Sequence, residues 1–169
     1  MASTIGSLGA AEAVLKPFVT AITRPQPERL EVNIHPDNLL AAVRALLVDE
    51  SWGYLSAIVG LDRPGQPAAE GVPQPEGAID VLYLFCSGAA VVTVRISLPY
   101  SQAVIPTISG ITPTAMLYEW ELREMLGVEV IGLRVTGHLI LADDWPDGVY
   151  PLRKSFTGFN QAAARVEGA

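Results

Sequence analysis

The sequence predicts an α+β fold: an antiparallel sheet in β-α-β-β-β order packed by helices, then a C-terminal helix and an extended tail. Three observations predict it. Residues 29–98 alternate in the manner of strands, interrupted once by a helical pattern. Two of the apolar runs are joined by Ser87-Gly88-Ala89, a hairpin signal. After Pro99 the pattern changes to a Pro-punctuated loop feeding a helix that stops at Gly127. No internal repeat and no second domain is evident. The chain divides into an arm (1–25), an α+β core (26–130) and an extended C-terminal segment (131–169) that contacts a partner.

Residues 1–25 are weakly helical in pattern. Residues 10–22 are apolar, but Pro17 kinks or stops a helix there. This stretch is therefore read as an arm that orders on a partner. RLEVNI (29–34) alternates and predicts a strand. HPDNLLAAVRALLVDE follows. Pro36 suits a first helical turn, and Asp37 complements the helix dipole there. Leu39, Leu40, Val43, Leu46 and Leu47 recur at helical spacing and predict one buried face. YLSAIVGL (54–61) predicts a second strand. DRPGQPAAEGVPQPEG is dense in Pro and Gly and predicts a mobile loop. IDVLYLFC and AVVTVRISL form the predicted hairpin.

SQAVIPTISGITPTA reads as a loop, with Thr112 as N-cap and Pro113 in the first turn of the next helix. MLYEWELREML places Tyr118, Leu122, Met125 and Leu126 on one face and closes at Gly127. Glu119 and Arg123 stand four apart with the acid first, the favourable order for a helical ion pair. VEVIGLRVTGHLIL reads as extended.

Half of the chain is apolar, 17% is charged, and the mean hydropathy is +0.33. No uninterrupted apolar stretch approaches the ~18 residues of a membrane span. So apolar a chain is expected to cover part of its surface with another protein. Eleven basic against eighteen acidic residues give a net charge of −7, with lysine only at Lys16 and Lys154. That balance argues against a nucleic-acid partner and against direct binding to an anionic membrane. Cys86, the single cysteine, is read as a buried strand thiol. The N-terminus lacks a basic start followed by an apolar block, so no signal peptide is read and a cytoplasmic location is expected.

Catalytic motifs are missing. No phosphate loop, dinucleotide fingerprint, nucleophile elbow or H-E-x-x-H occurs. His35 and His138 have no Cys or second His at ligand spacing, so no metal site is read. Glu121 and Glu124, three apart on one helix, are the residue types of an acid–base pair, although a Glu-rich helix is more commonly a solvated face. Asp143, Asp144 and Asp147 do not have the spacing of a calcium loop, and Asp147-Gly148 is an ordinary turn signal.

Two segments without a catalytic reading carry a resemblance. Residues 106–121, PTISGITPTAMLYEWE, followed by the close EMLGV, resemble P-S-I-x-x-I-F-P-x-A-x-W-Y-E-R-E and D-[LM]-[FL]-G-I. ADDWPDGVYPLRKSF (142–156) resembles P-D-D-W-x-G-x-P-L-R-K-D-F. These are patterns of the 30 kDa subunit of respiratory complex I, the NADH:quinone oxidoreductase of bacteria. Trp120 stands where that family has Arg, Glu124 where it has Asp, and residues 132–138 (GLRVTGH) replace G-H-P-D-L-R-R. Arg123 and the DDWP wording are similar to the related subunit of group 4 membrane-bound hydrogenases and formate hydrogenlyase.

The resemblance implies a structural subunit of a peripheral arm, without activity alone and without a cofactor of its own. Iron–sulfur clusters, flavin or nickel–iron are expected only in partner subunits. The implied partners are a large quinone-site or hydrogenase-type subunit and iron–sulfur subunits of one complex. The chain would then be peripheral on the cytoplasmic side of the membrane, held there through the complex. The expected partner interface comprises Glu119, Glu121, Arg123, Glu124, Asp143, Asp144, Trp145, Pro151, Leu152, Arg153 and Lys154. Trp145 is its expected anchor, with Asp143 and Asp144 facing partner bases and Arg153 and Lys154 facing partner acids. The competing expectations are the equivalent hydrogenase subunit and a stand-alone enzyme using Glu121 and Glu124.

Overall fold

The computed structural model describes residues 4–65 and 76–158. The middle of the Pro/Gly-rich loop (66–75) and the tail from residue 159 lie outside the described residues. The elements in chain order are α1 (Thr4–Leu15), β1 (Val19–Gln26), β2 (Arg29–Ile34), α2 (Leu39–Arg44), β3 (Tyr54–Arg63), β4 (Ala78–Ser87), β5 (Ala90–Pro99), β6 (Val104–Pro106), α3 (Ala115–Leu126) and β7 (Glu129–Ile131). Five strands form one sheet in the order β1-β2-β5-β4-β3, and β6 pairs with β7 in a small parallel sheet.

The predicted α+β class is what forms, with a mostly antiparallel sheet. The β2–β5 pair alone in the large sheet is parallel, because the helix after β2 and the β3–β4 ribbon intervene before β5 returns beside it. The β4–β5 hairpin closes on Gly88-Ala89, with Ser87 opposite Ala90 and Gly88 at φ 60°. A positive φ at that point is what a two-residue hairpin turn requires.

The sheet packs the hydrophobic core on one face. Leu30, Val32, Val92, Val94, Val81 and Tyr83 occupy matched register positions and are essentially inaccessible to solvent. The helices lie on that face. α3 crosses β3 at Gly60, where an added Cβ would stand 2.1 Å from Leu126 Cδ1 and 2.7 Å from Leu122 Cδ2. The missing side chain is what lets the helix approach so closely.

α2 is preceded by a 3-10 turn at Pro36–Asn38, where His35 Nδ1 accepts from the Asp37 backbone N–H at 3.4 Å. Leu39, Val43 and Leu46 are buried as predicted. Leu40 is not. It is 42% exposed, because it is turned about 100° around the helix from Leu39, off the ridge of Leu39, Ala42, Val43 and Leu46. Cys86 is half-buried rather than buried: it alternates with Phe85 onto the face that carries no helix.

The stretch read as a partner-ordered arm is corrected by its packing. Leu8, Ala11 and Leu15 of α1 are fully buried in the common core, and Trp52 Nε1 donates to the Ser7 carbonyl at 2.8 Å. The period of Leu8, Ala11 and Leu15 makes a stripe too narrow to stand out in so apolar a sequence. After Pro17 the chain extends into β1, an edge strand whose residues are almost all exposed. Leu8→Ala is expected to lower the stability of the isolated chain by about 2–5 kcal/mol. A denaturant titration reads it, and an unchanged midpoint would restore the arm.

Candidate functional site

The candidate face is built on α3 and on the segment that folds back over it. α3 ends at Gly127, whose φ of 69° turns the chain out of the helix. A Cβ there would also meet the Tyr150 ring at 2.4 Å, so both conformation and space demand glycine. The predicted cap at Thr112 is replaced by backbone. The Thr112 carbonyl accepts from the Ala115 N–H at 3.0 Å, and the Thr112 hydroxyl pairs with that of Thr114.

Past Gly127 the chain satisfies the end of α3. Leu152 N–H donates to the Met125 carbonyl at 3.1 Å, and Arg153 Nε to the Leu126 carbonyl at 2.7 Å. These are carbonyls a helix end leaves without partners, and a cation at that end also complements the dipole. The Arg153 guanidinium lies 4.8 Å from the Tyr100 ring centroid and 5.0 Å from that of Tyr150. Lys154 N–H donates to Asp62 Oδ2 at 2.7 Å, and Tyr100 Oη donates to Asp62 Oδ1. Burial first, then the Asp62 hydrogen bond and charge, push the Tyr100 phenol up to about 12, against the opposing charge of Arg153.

Two acids of α3 are turned inward. Glu119 is fully buried. Its Oε1 accepts from the Ile108 N–H at 2.7 Å and its Oε2 from the Thr107 hydroxyl. Those bonds pin the Pro106–Thr112 loop to the helix. Burial pushes the Glu119 carboxyl up, and its two donors only partly oppose that. Glu124 accepts from the N–H groups of Leu139, Ile140 (2.9 Å) and Leu141 (3.4 Å), with His138 Nδ1 3.4 Å away. Burial works to raise it as well, but the three donors and His138 prevail and hold it below the usual carboxylate range.

Trp145 is half-buried within the returning segment. Its Nε1 donates to the Val149 carbonyl at 2.8 Å, and its ring lies 6.2 Å from that of Phe156. Val149 is itself buried at 3% exposure.

The expected interface therefore needs correcting at several positions. Glu119 and Glu124 are internal acceptors, not surface groups, and the Glu119–Arg123 pair gives way to Thr107 and Ile108. Trp145 and Arg153 spend their polar atoms within the chain, and Pro151 is half-buried beside them. Glu121, Arg123, Asp143, Asp144, Leu152 and Lys154 are exposed. Glu121 and Glu124 do not form a poised acid–base pair, because both Glu124 oxygens are occupied by backbone donors and its carboxyl is held ionised.

The segment read as extended folds back on its own chain and still leaves apolar groups outside. Ile131 (59%), Ile140 (58%) and Leu152 (56%) stand exposed along it. Leu152 lines a groove with Val59, Tyr118, Glu121 and Met125. Sequence reasoning missed Asp62, Tyr100 and Tyr150. The inward alternation of β3 carries Asp62 to the core face, and that was the signal available.

Comparisons with known proteins identify the family and the fold. Residues 32–162 match the family described as "Respiratory-chain NADH dehydrogenase, 30 Kd subunit". Formate hydrogenlyase subunit 5 of Escherichia coli (strain K12) is 30% identical over 130 residues, 75% of this chain and 21% of that protein. A subunit of the NADH-quinone oxidoreductase of Mesorhizobium japonicum is 29% identical over 135 residues, 77% of this chain and 62% of that protein. The chain thus spans about a fifth of the first relative and less than two thirds of the second. A chain of the membrane-bound sulfane sulfur reductase, an archaeal respiratory membrane complex, shares the fold with a TM-score of 0.70 at 20% identity. That likeness covers 95% of this chain and 91% of the other.

The two inward acids predict opposite pH behaviour. Glu124 is depressed in the fold, so its stabilisation is present above its unfolded value near ~4.3 and is lost as pH falls through its lower folded value. Glu119 is raised, so its contribution is full below its unfolded value and is lost as pH rises through its folded one. At neutral pH Glu124→Gln should cost about 1–3 kcal/mol, while Glu119→Gln, which keeps acceptor and donor geometry, should cost less than about 1 kcal/mol. Chemical denaturation at pH 7, with amide exchange at residues 139–141, separates the two. Equal losses would refute the assignment.

Proposed function

This chain belongs to the family of the 30 kDa subunit of respiratory-chain NADH dehydrogenase, and from that premise we propose that it is a structural subunit of the peripheral arm of a complex I-like NADH:quinone oxidoreductase. It docks by α3 and the returning segment onto the large quinone-site subunit. The observation that carries this reading is the outward side of that face. Apolar Ile140 and Leu152 and acidic Glu121, Asp143 and Asp144 are exposed on α3 and the returning segment, on a backbone fixed from within by Glu124 and Asp62. A pre-ordered surface of this kind loses little entropy on docking. Its anchors are the aliphatic side chains, and the acids set the register against a basic partner.

The likeness to formate hydrogenlyase subunit 5 supports a second reading, the equivalent subunit of a group 4 membrane-bound nickel–iron hydrogenase. In both readings electrons pass through neighbouring subunits. Iron–sulfur clusters, flavin or nickel–iron belong to those neighbours, with the iron–sulfur subunits as further partners. No helix among the described residues is long and apolar enough to cross a membrane. Attachment to the cytoplasmic side of the membrane then comes through the complex.

Isolation of the complex from solubilised membranes through a tag on the full chain tests this. A large subunit with two Cys-x-x-Cys pairs for nickel assigns the hydrogenase form, and one lacking them the quinone form. Ile140→Glu combined with Leu152→Glu is expected to lower retention of that subunit at least tenfold without shifting the melting temperature of the chain. Full retention would reject the docking face, and turnover by the isolated chain would reject the subunit role.

A further inference from the structure

The two edges of the large sheet are built differently. β1, at one edge, carries Arg24 and Pro25, and its register against β2 shifts twice, between Val19 and Ala21 and between Thr23 and Gln26. Charge, proline and irregular register are the usual means by which an edge strand is kept from pairing with another chain. β3, at the other edge, lacks them over most of its length. Residues 54–61 (YLSAIVGL) hold no charge and no proline. The single shift, between Leu55 and Ala57, lies near the start, and from Ala57 to Arg63 the register against β4 is unbroken. The side of this run turned away from the core adds Val59 at 40% and Leu61 at 43% exposure. An edge so regular and apolar is a pairing surface left open.

The outer side of β3 is walled rather than covered. An edge strand presents a row of backbone N–H and C=O groups pointing away from its sheet. Among the described residues only the Tyr118 hydroxyl reaches that row, donating to the Ser56 carbonyl at 3.0 Å. At the other end the returning segment is fastened by the Lys154 N–H on Asp62. A hollow of about 130 Å³ lies along the strand, walled by residues 58–60 of β3, by Tyr118 and Met125 of α3, and by Leu152. Glu121 is the one charged residue lining it.

We propose that β3 pairs along residues 57–61 with an extended strand of the subunit that docks on α3, adding a sixth strand to the sheet. The backbone selects the conformation of the occupant. A strand edge is satisfied by another strand, because only an extended chain offers donors and acceptors at the same repeat. The walls select its side chains. One side of the incoming strand faces Met125 and Leu152 and the other stands beside Val59 and Leu61, so both are apolar and uncharged. Five residues give roughly 17 Å of edge, an ordinary strand length. The hollow shares Glu121 and Leu152 with the docking face, so the inference rests on the subunit reading above and specifies the form in which that neighbour binds.

Amide exchange on the full chain, alone and within the isolated complex, tests this together with a photo-crosslinking side chain placed at Val59 and separately at Ile140. The expected result is that amides within residues 57–61 that exchange fast in the chain alone slow at least tenfold in the complex. Val59 should then join an apolar segment of the same subunit that Ile140 joins. Leu61→Lys, an exposed change outside the core, should lower retention of that subunit about tenfold with the melting temperature unchanged. Should this variant fail to fold, exchange and crosslinking still decide. Amides that stay fast in the complex would overturn the strand and leave the subunit reading standing while Ile140 still joins the neighbour. A Val59 adduct to a second copy of the chain, to residues 66–75 or to residues 159–169 would do the same. No adduct at either position, with no large subunit co-isolated, would overturn both.

Discussion

The C-terminal half depends on how the end of α3 is satisfied. A helix that stops in the interior leaves carbonyls without partners, and Glu124 adds a buried charge one turn earlier. Both demands are met by one stretch of chain. Gly127 reverses direction, the 139–141 amides close on the Glu124 carboxylate, and Leu152 and Arg153 reach the last carbonyls. Charge-assisted bonds of this kind are stronger than neutral ones, and breaking one side strands the other. The returning segment has no long helix or strand, so these bonds and the seat of Lys154 on Asp62 give it a fixed shape.

The same helix holds a second acid under opposite electrostatic conditions. Glu119 meets one backbone donor and one hydroxyl in a site dry enough to raise its carboxyl; burial first, and the Glu119 charge second, push the Tyr83 phenol up as well. Glu124 meets three backbone donors at the rim, and they outweigh its burial. Five residues apart on one helix, the two carboxylates fasten different neighbours. One binds the loop before α3 and the other the segment after it. α3 is thus the strut between sheet and surface, seated on β3 where Gly60 offers no side chain.

This division explains what is left for a partner. Glu119, Glu124 and the Arg153 guanidinium are consumed in building the face, and aliphatic Ile140 and Leu152 remain outside with Glu121, Asp143 and Asp144. Leu152 and Ile140 hold their backbone N–H groups inward, on the Met125 carbonyl and Glu124, while their side chains stand exposed. A subunit of a larger redox assembly needs such a face, rigid before contact and apolar at its centre.

Much of the fold was readable in the sequence because the signals are local. Strand alternation at 29–34 and 90–98, the hairpin at Gly88, the turn at Pro36 and the stop at Gly127 each follow from backbone geometry within a few residues. The motifs around residues 106–121 and 142–156 carried the family. Tertiary structure alone decided which polar groups face inward. Glu119, Glu124 and Arg153 sit in patterns that suit a solvated face, and only the segments that fold against α3 from before and after it show them bonded within. The same holds for α1, whose three buried residues acquire meaning when β2 and β5 lie beneath them. Periodicity fixes which side a residue is on, but a buried charge is stable only if distant backbone donors reach it, and their arrival is a property of the closed fold.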